Sequence, residues 1–282
     1  MLVLWSARCR LSSCLYVLCG FVLAGVASAK AEEFSWSQGH PAVAMHPEAT
    51  HWCYLTMVRG KFRGFGERVV VRVENGTWVL SGTSKAEGVG GRANCIDLAL
   101  LKPASGVRWT SGPFARQWGN PGGCVRNPIQ AWWGDAATAI SGFGGDYRGG
   151  GESIEVVQSL DPFKATQATI RTCRGQALGA VTSFFVGQPQ AGHLARFVGP
   201  PASSVSNNEA NVYAAWHGSG TIPMLKVDEA MCYFTFISGG FHGGGESASI
   251  FIENGRWALR ADSKSGDGVV ARARCFLLDQ GG

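Results

Sequence analysis

One short pattern occurs three times in this chain: Gly64-Phe65-Gly66-Glu67, Gly149-Gly150-Gly151-Glu152 and Gly243-Gly244-Gly245-Glu246. Each is preceded by an aromatic and a basic residue, Phe62-Arg63, Tyr147-Arg148 and Phe241-His242. Ordered self-similarity of this kind means that one unit of structure is built repeatedly, and it bounds the fold more tightly than any single residue does. Aligned on their glutamates, the first and third copies correspond without a gap from Cys53-Tyr54-Leu55-Thr56 and Cys232-Tyr233-Phe234-Thr235 to Glu74-Asn75-Gly76 and Glu253-Asn254-Gly255. Trp78 falls on Trp257 and Ser84-Lys85 on Ser263-Lys264, and a one-residue insertion then brings Val89 and Cys95 onto Val269 and Cys275.

After each glutamate the even offsets are Val69, Val71, Val73 in the first copy, Ile154, Val156, Gln158 in the second and Ala248, Ile250, Ile252 in the third, while the odd offsets are mostly polar. Alternation with a period of two and β-branched residues predicts a strand with one buried face. Asn75-Gly76 and Asn254-Gly255 follow at once, a dipeptide whose tolerance of positive φ suits a tight hairpin. The two full copies are therefore predicted to be four-stranded antiparallel meanders. The first spans Cys53 to Lys61, Arg68 to Glu74, Thr77 to Thr83 and Val89 to Leu98. The third spans Cys232 to Ile237, Ser247 to Glu253, Arg256 to Ala261 and Val269 to Leu278. Helical periodicity is absent after the N-terminal segment, so the fold class is all-β.

The second copy is degenerate: Thr138 stands in the place of the first cysteine, the Trp hairpin is lost, and Glu152 precedes Cys173 by only 21 residues. The glutamates are 85 and 94 residues apart, too far for bare copies, so the Gly-, Pro- and Trp-rich connectors must add strands. Two arrangements stay open: small β units in tandem, or one pseudo-threefold β assembly. The corresponding division is 1–29 as signal peptide, 30–98 as the first unit, 99–180 as connector plus degenerate second unit, and 181–282 as connector plus third unit.

Arg8 and Arg10 lead into an apolar run from Leu15 to Val26 that closes on Ala27-Ser28-Ala29, the pattern of a secretory signal cleaved after Ala29 and too short for a bilayer span. Cleavage leaves six of the nine cysteines, an even number in an oxidising destination, periplasmic or extracellular. The repeat suggests their pairing. Cys53 with Cys95 and Cys232 with Cys275 bracket matching copies, which leaves Cys124 for Cys173, a bridge expected to tie a connector to the second copy's last strand. With 16% charged residues, 40 glycines and no basic block, nucleic acid is not expected as a partner, and no transmembrane segment is expected after signal removal.

No catalytic signature emerges. The chain has no G-x-S-x-G elbow and no cysteine–histidine cluster of ligand spacing. Asp135, Asp146, Glu152 and Glu155 form the densest acidic set without a recognisable facing pair. His40, His46 and His51 are read as loop histidines, because their spacings fit no standard metal site, and no metal or cofactor is expected. Asn75-Gly76-Thr77 is formally a glycosylation acceptor, set inside a tight hairpin. Glu67, Glu152 and Glu246 are expected to cap their Gly-rich loops or to pair with Arg63, Arg148 and His242. Trp78 and Trp257, repeated in register, are expected in the core. Trp118, Trp132, Trp133 and Trp216 have no partner in register and are the candidate binding residues, because exposed tryptophans stack on sugar rings or anchor protein partners. The functional expectation is a secreted, non-catalytic binding protein for glycans or a surface partner. A structural envelope component and a hydrolase with a scattered site are the alternatives.

Overall fold

The computed structural model describes residues 32–100, 109–111, 115–118, 123–132, 135–157, 166–173, 175–187, 197–198, 212–266 and 268–278. The first unit contains β1 (Glu32–Ser37), β2 (Val43–Pro47), β3 (His51–Arg59), β4 (Arg63–Glu74), β5 (Thr77–Thr83) and β6 (Gly90–Asp97). The second contains β7 (Trp109–Ser111), β8 (Ala115–Trp118), β9 (Val125–Trp132), β10 (Asp135–Asp146), β11 (Arg148–Val157), β12 (Thr166–Thr172) and β13 (Gln176–Gly187). The third contains β14 (Phe197–Val198), β15 (Tyr213–Trp216), β16 (Ile222–Lys226), β17 (Ala230–Gly240), β18 (Ser247–Glu253), β19 (Arg256–Asp262) and β20 (Val270–Leu277). The protein is all-β: among the described residues the sole helical element is a 3₁₀ turn at Leu98–Leu100, and no helix is long and apolar enough to cross a membrane.

The arrangement is the pseudo-threefold assembly. Three antiparallel sheets run β1-β6-β3-β18-β19-β16, β2-β5-β4-β10-β13-β7 with β8 also on β13, and β14-β20-β17-β11-β12-β9 with β15 also on β20. Within a copy the strands do not form a single meander. The first and last strands pair with each other in one sheet (β3 with β6, β17 with β20), and the hairpin strands pair in the next (β4 with β5, β18 with β19). The units then close head to tail, as β4 joins β10, β11 joins β17, and β18 joins β3. Closure gives every repeated strand a partner on both sides and leaves only connector strands at the sheet edges, the exposed positions that otherwise template aggregation.

The repeated aromatics explain where the axis lies. Phe62 donates its N–H to the Phe241 carbonyl at 2.8 Å, Tyr147 to Phe62 at 2.8 Å, and Phe241 to Tyr147 at 2.9 Å, a cyclic ring of three backbone bonds with one link per unit. All three side chains are fully buried. Two residues before each aromatic, Gly60, Gly145 and Gly239 adopt φ of 104°, 97° and 115° and press against backbone carbonyls of Gly88, Gln176 and Gly268, so the turn from sheet to axis has no room for a Cβ. The core inside is aromatic and drawn from all units: Trp52 lies 5.1 Å from Tyr54, 6.0 Å from Phe184 and 6.1 Å from Tyr233.

The two repeated tryptophans join sheets. Trp78 Nε1 donates to the His51 carbonyl and Trp257 Nε1 to the Ala230 carbonyl, each at 2.7 Å and each from the hairpin to the start of its own copy's first strand. The hairpins turn through Asn75 and Asn254 at φ of 50° and 51°. Three disulfides join Cys53 to Cys95, Cys124 to Cys173 and Cys232 to Cys275, bonds that persist in an oxidising environment.

The second copy departs from the expected layout. Cys173 follows β12, the third strand of the copy, and not its last. The last strand is β13, which runs on to Gly187 past the boundary at residue 180. Thr138 pairs in register with Ser183, as Cys53 does with Cys95 and Cys232 with Cys275. The Thr138 and Ser183 hydroxyls are hydrogen-bonded at 3.1 Å in a buried site. A hydrogen bond thus occupies the place of the disulfide. The hairpin also survives as β11 and β12, although its tryptophan does not.

Candidate functional site

The third unit presents the candidate site, at the corner between β15 and the β18–β19 hairpin. β15 ends at Trp216, where Ser219 N–H returns to the Trp216 carbonyl at 2.9 Å and Trp216 N–H donates to Ser219 Oγ at 3.1 Å. Gly218 and Gly220, at φ of 85° and 74°, make this turn possible. Trp216 is left 57% exposed, the most solvent-accessible large hydrophobic side chain among the described residues.

Beside that turn lies a groove of about 600 Å³ whose lining includes His217, Gly245, Ser247, Arg260, Asp262 and Lys264. Arg260 Nε donates to Asp262 Oδ2 at 2.8 Å, and Ser247 Oγ donates to the same oxygen at 3.2 Å, so the groove's carboxylate is already compensated. Lys264 forms no ion pair among the described residues, and its methylene stem lies over Gly245 where a Cβ would collide with it. A second depression of about 420 Å³ on the solvent side of the first sheet includes Arg92, Asn94, Ser249 and Phe251. Arg260 lines both, with its guanidinium carbon 5.5 Å from the Phe251 ring centre, so the two concavities meet at one side chain.

The repeat glutamate holds this corner together. Glu246 is buried, accepts the Gly243 N–H at 2.7 Å and accepts Ser265 Oγ at 2.9 Å, linking the Gly-rich loop to the loop that carries Lys264. Burial alone would raise its pKa, yet the hydrogen bonds from Ser265 and the backbone outweigh burial and hold the carboxyl below its ordinary value. A Glu67 carboxylate oxygen lies close to Gly64, and Gly175 leaves room for the Glu152 carboxylate. All three glutamates are buried. Arg148 pairs with Asp146 at 2.8 Å, and Glu155 with Arg126 at 3.1 Å, so these acids of the dense acidic set are engaged separately.

Of the four candidate tryptophans, Trp216 directly precedes His217 of the groove lining. Trp118 and Trp132 sit on the backbones of β8 and β9, opposite Gln176 and Thr166; their side chains and the whole of Trp133 lie outside the described residues. His46 and His51 are strand residues rather than loop residues. Their rings stack at 3.8 Å, His46 Nε2 lies 2.7 Å from Glu32, and burial and the neighbouring His46 lower the pKa of His51. Among the described residues no group of three or more His, Cys, Asp or Glu side chains is placed to hold a metal ion.

His217, Ser247, Arg260, Asp262 and Lys264 were not singled out by residue type. The signal for two of them was difference between copies: Arg260 and Asp262 occupy the places of Ser81 and Thr83 in the first unit, as Trp216 occupies that of Ser37. No protein-family model, no curated protein and no solved structure matches this chain.

Proposed function

We propose that the protein is an exported, non-catalytic binding protein that recognises glycans through the third-unit groove, with Trp216 as its stacking platform. The observation that carries this reading is the 57% exposure of Trp216, the residue directly before His217 of the groove lining. An indole in water carries a hydrophobic cost unless a partner covers it, and the apolar face of a sugar ring covers it while sugar hydroxyls meet the polar groups alongside. The groove supplies donors and acceptors at close spacing, in Ser247, His217 and the Arg260–Asp262 pair. Export fits the three disulfides together with the leader-like segment ending at Ala29.

A glycan array probed with the purified, oxidised protein tests the proposal, with Trp216→Ala beside it. Binding that falls by roughly tenfold or more in the variant, at unchanged melting temperature, is the expected result, given about 1–2 kcal/mol for an aromatic contact of this kind. Binding to no glycan would overturn the reading in favour of a structural assembly component, and binding unaffected by Trp216→Ala would remove the site from this groove.

A further inference from the structure

Lys264 gives the groove a chemical preference. Its stem crosses Gly245 in the space that any side chain on residue 245 would fill, and Lys264 lines the groove. Every other charge in the groove is compensated: Asp262 by Arg260 and by Ser247, and Arg260 by Asp262. Glu246 lies behind the wall, occupied by Gly243 and Ser265. Among the described residues the groove therefore offers one cation without an ion-pair partner, Lys264, together with His217 and, directly before it in the chain, the exposed indole of Trp216. The first unit keeps the lysine as Lys85, but nothing lies within 4 Å of where a Cβ would sit on Gly66, the counterpart of Gly245. The lysine–glycine packing belongs to the third unit's groove.

We infer that the groove selects an anionic glycan, one whose sugars carry carboxylate or sulfate groups, with Lys264 as the anion contact and Trp216 as the platform for the adjoining ring. The inference rests on the glycan reading of this groove. A compact ammonium suits both anions, because it acts as a point charge and makes no bidentate geometric demand. The lysine, without an ion-pair partner among the described residues, supplies attraction that a neutral sugar cannot use, and such attraction weakens with salt.

The test is a calorimetric titration of the oxidised protein in low salt with three probes: oligogalacturonate, a sulfated dextran fragment, and the corresponding neutral dextran fragment. An anionic probe is expected to bind at least tenfold more tightly than the neutral one, and the preference between the two anionic probes assigns carboxylate or sulfate. Lys264→Met should lower anionic binding about five- to tenfold, the scale of one charge-assisted contact. Gly245→Ala should cause a similar loss while the lysine is retained, because the new methyl group displaces its stem. Thermal unfolding of both variants establishes that they are folded. Equal binding of neutral and anionic probes, or anionic binding unchanged in both folded variants, overturns the inference while leaving the glycan reading in place. Failure of every probe to bind overturns both.

Discussion

The Thr138–Ser183 pair offers a direct test of the threefold architecture, because it occupies the place held by a disulfide in the other two units. Replacing both residues by cysteine, Thr138→Cys with Ser183→Cys, should create a fourth bridge without moving the backbone. The two positions are direct register partners, as are Cys53 with Cys95 and Cys232 with Cys275. Both side chains are buried and close to cysteine in size, so neither overpacking nor a large cavity is introduced. A bridge between residues 45 apart removes loop entropy from the unfolded chain worth about 4 kcal/mol in the chain-entropy account. Loss of the buried hydroxyl–hydroxyl hydrogen bond takes back about 1 kcal/mol. The remainder, about 3 kcal/mol, corresponds to a rise in melting temperature of roughly 6–12 °C for a protein of this size.

The assay is thermal unfolding followed by circular dichroism, paired with non-reducing peptide mapping that locates each disulfide. The single variant Thr138→Ala serves as the control. It leaves Ser183 without its partner and should melt below the wild type by an amount equivalent to about 1–3 kcal/mol. If the double-cysteine protein folds, is exposed to oxidant and still retains two free thiols at 138 and 183, then Ser183 is not the counterpart of Cys95 and Cys275. The alignment of the second unit would then be wrong.

Three further outcomes follow from the same geometry. Trp257→Phe removes the indole donor to the buried Ala230 carbonyl and should lower stability by about 1–3 kcal/mol, read as a fall in the urea midpoint at constant m-value; an unchanged midpoint would mean that the bond joining hairpin to first strand contributes nothing. Glu246 has a folded-state pKa held below its unfolded value, so the stability it contributes is fully present above the ordinary carboxylate value near 4.5 and is lost as pH falls through the folded value. The stability difference between wild type and Glu246→Gln should accordingly shrink under acid, and a difference independent of pH would refute the carboxylate's role. His51 shifts the opposite way in charge terms: burial and His46 lower its pKa, so the unfolded chain takes up the proton more readily and stability should decline as pH drops below about 6.5. That decline should be flatter in His51→Gln, and equal slopes in urea titrations across this range would count against the stacked-pair explanation.

Strand positions in the full copies were legible because alternation reports which face of a strand is buried, and Asn-Gly reports where a hairpin turns. Thr77–Thr83 and Ser247–Glu253 form strands with those same limits. Partnership was not legible in the same way, since a period of two identifies faces and is silent about edges. One clue was present nonetheless. A disulfide between matching positions of a copy's first and last strands favours adjacency of those strands, which an open four-stranded meander does not provide, and closure with another unit does. In the second copy Cys173 does not mark the last strand: the equivalent position carries Ser183 on β13, and the bridge from Cys124 reinforces a different sheet edge. Among the site residues, Trp216 was legible through its lack of a repeat partner. Arg260 and Asp262 were not, because a pair of charges two residues apart on a strand looks like any solvated face until the turn at residues 217–220 encloses it.

A repeated fold could carry several equivalent binding sites acting together, but the residues at corresponding positions argue for division of labour. The positions that coincide in all three units build the axis: the aromatic ring of backbone bonds, the glycines turning toward it, and the buried glutamates behind each loop. The groove positions differ. Asp262 corresponds to Thr83 and Arg171, Arg260 to Ser81 and Thr169, and Ser247 to Arg68 and Ser153. A ligand held by the Arg260–Asp262 pair beside Trp216 would meet two small hydroxyl side chains and a serine in the first unit, and an arginine in place of the aspartate in the second. Avidity requires like sites that can be engaged together, and these corners are unlike. Triplication therefore serves closure, giving each sheet its neighbour and each edge its cover, while one corner is free to diverge toward a ligand. On this argument the anionic glycan should bind with a stoichiometry of one per chain, and a titration that fits three equal sites would show that the corners retain a common chemistry despite their different side chains.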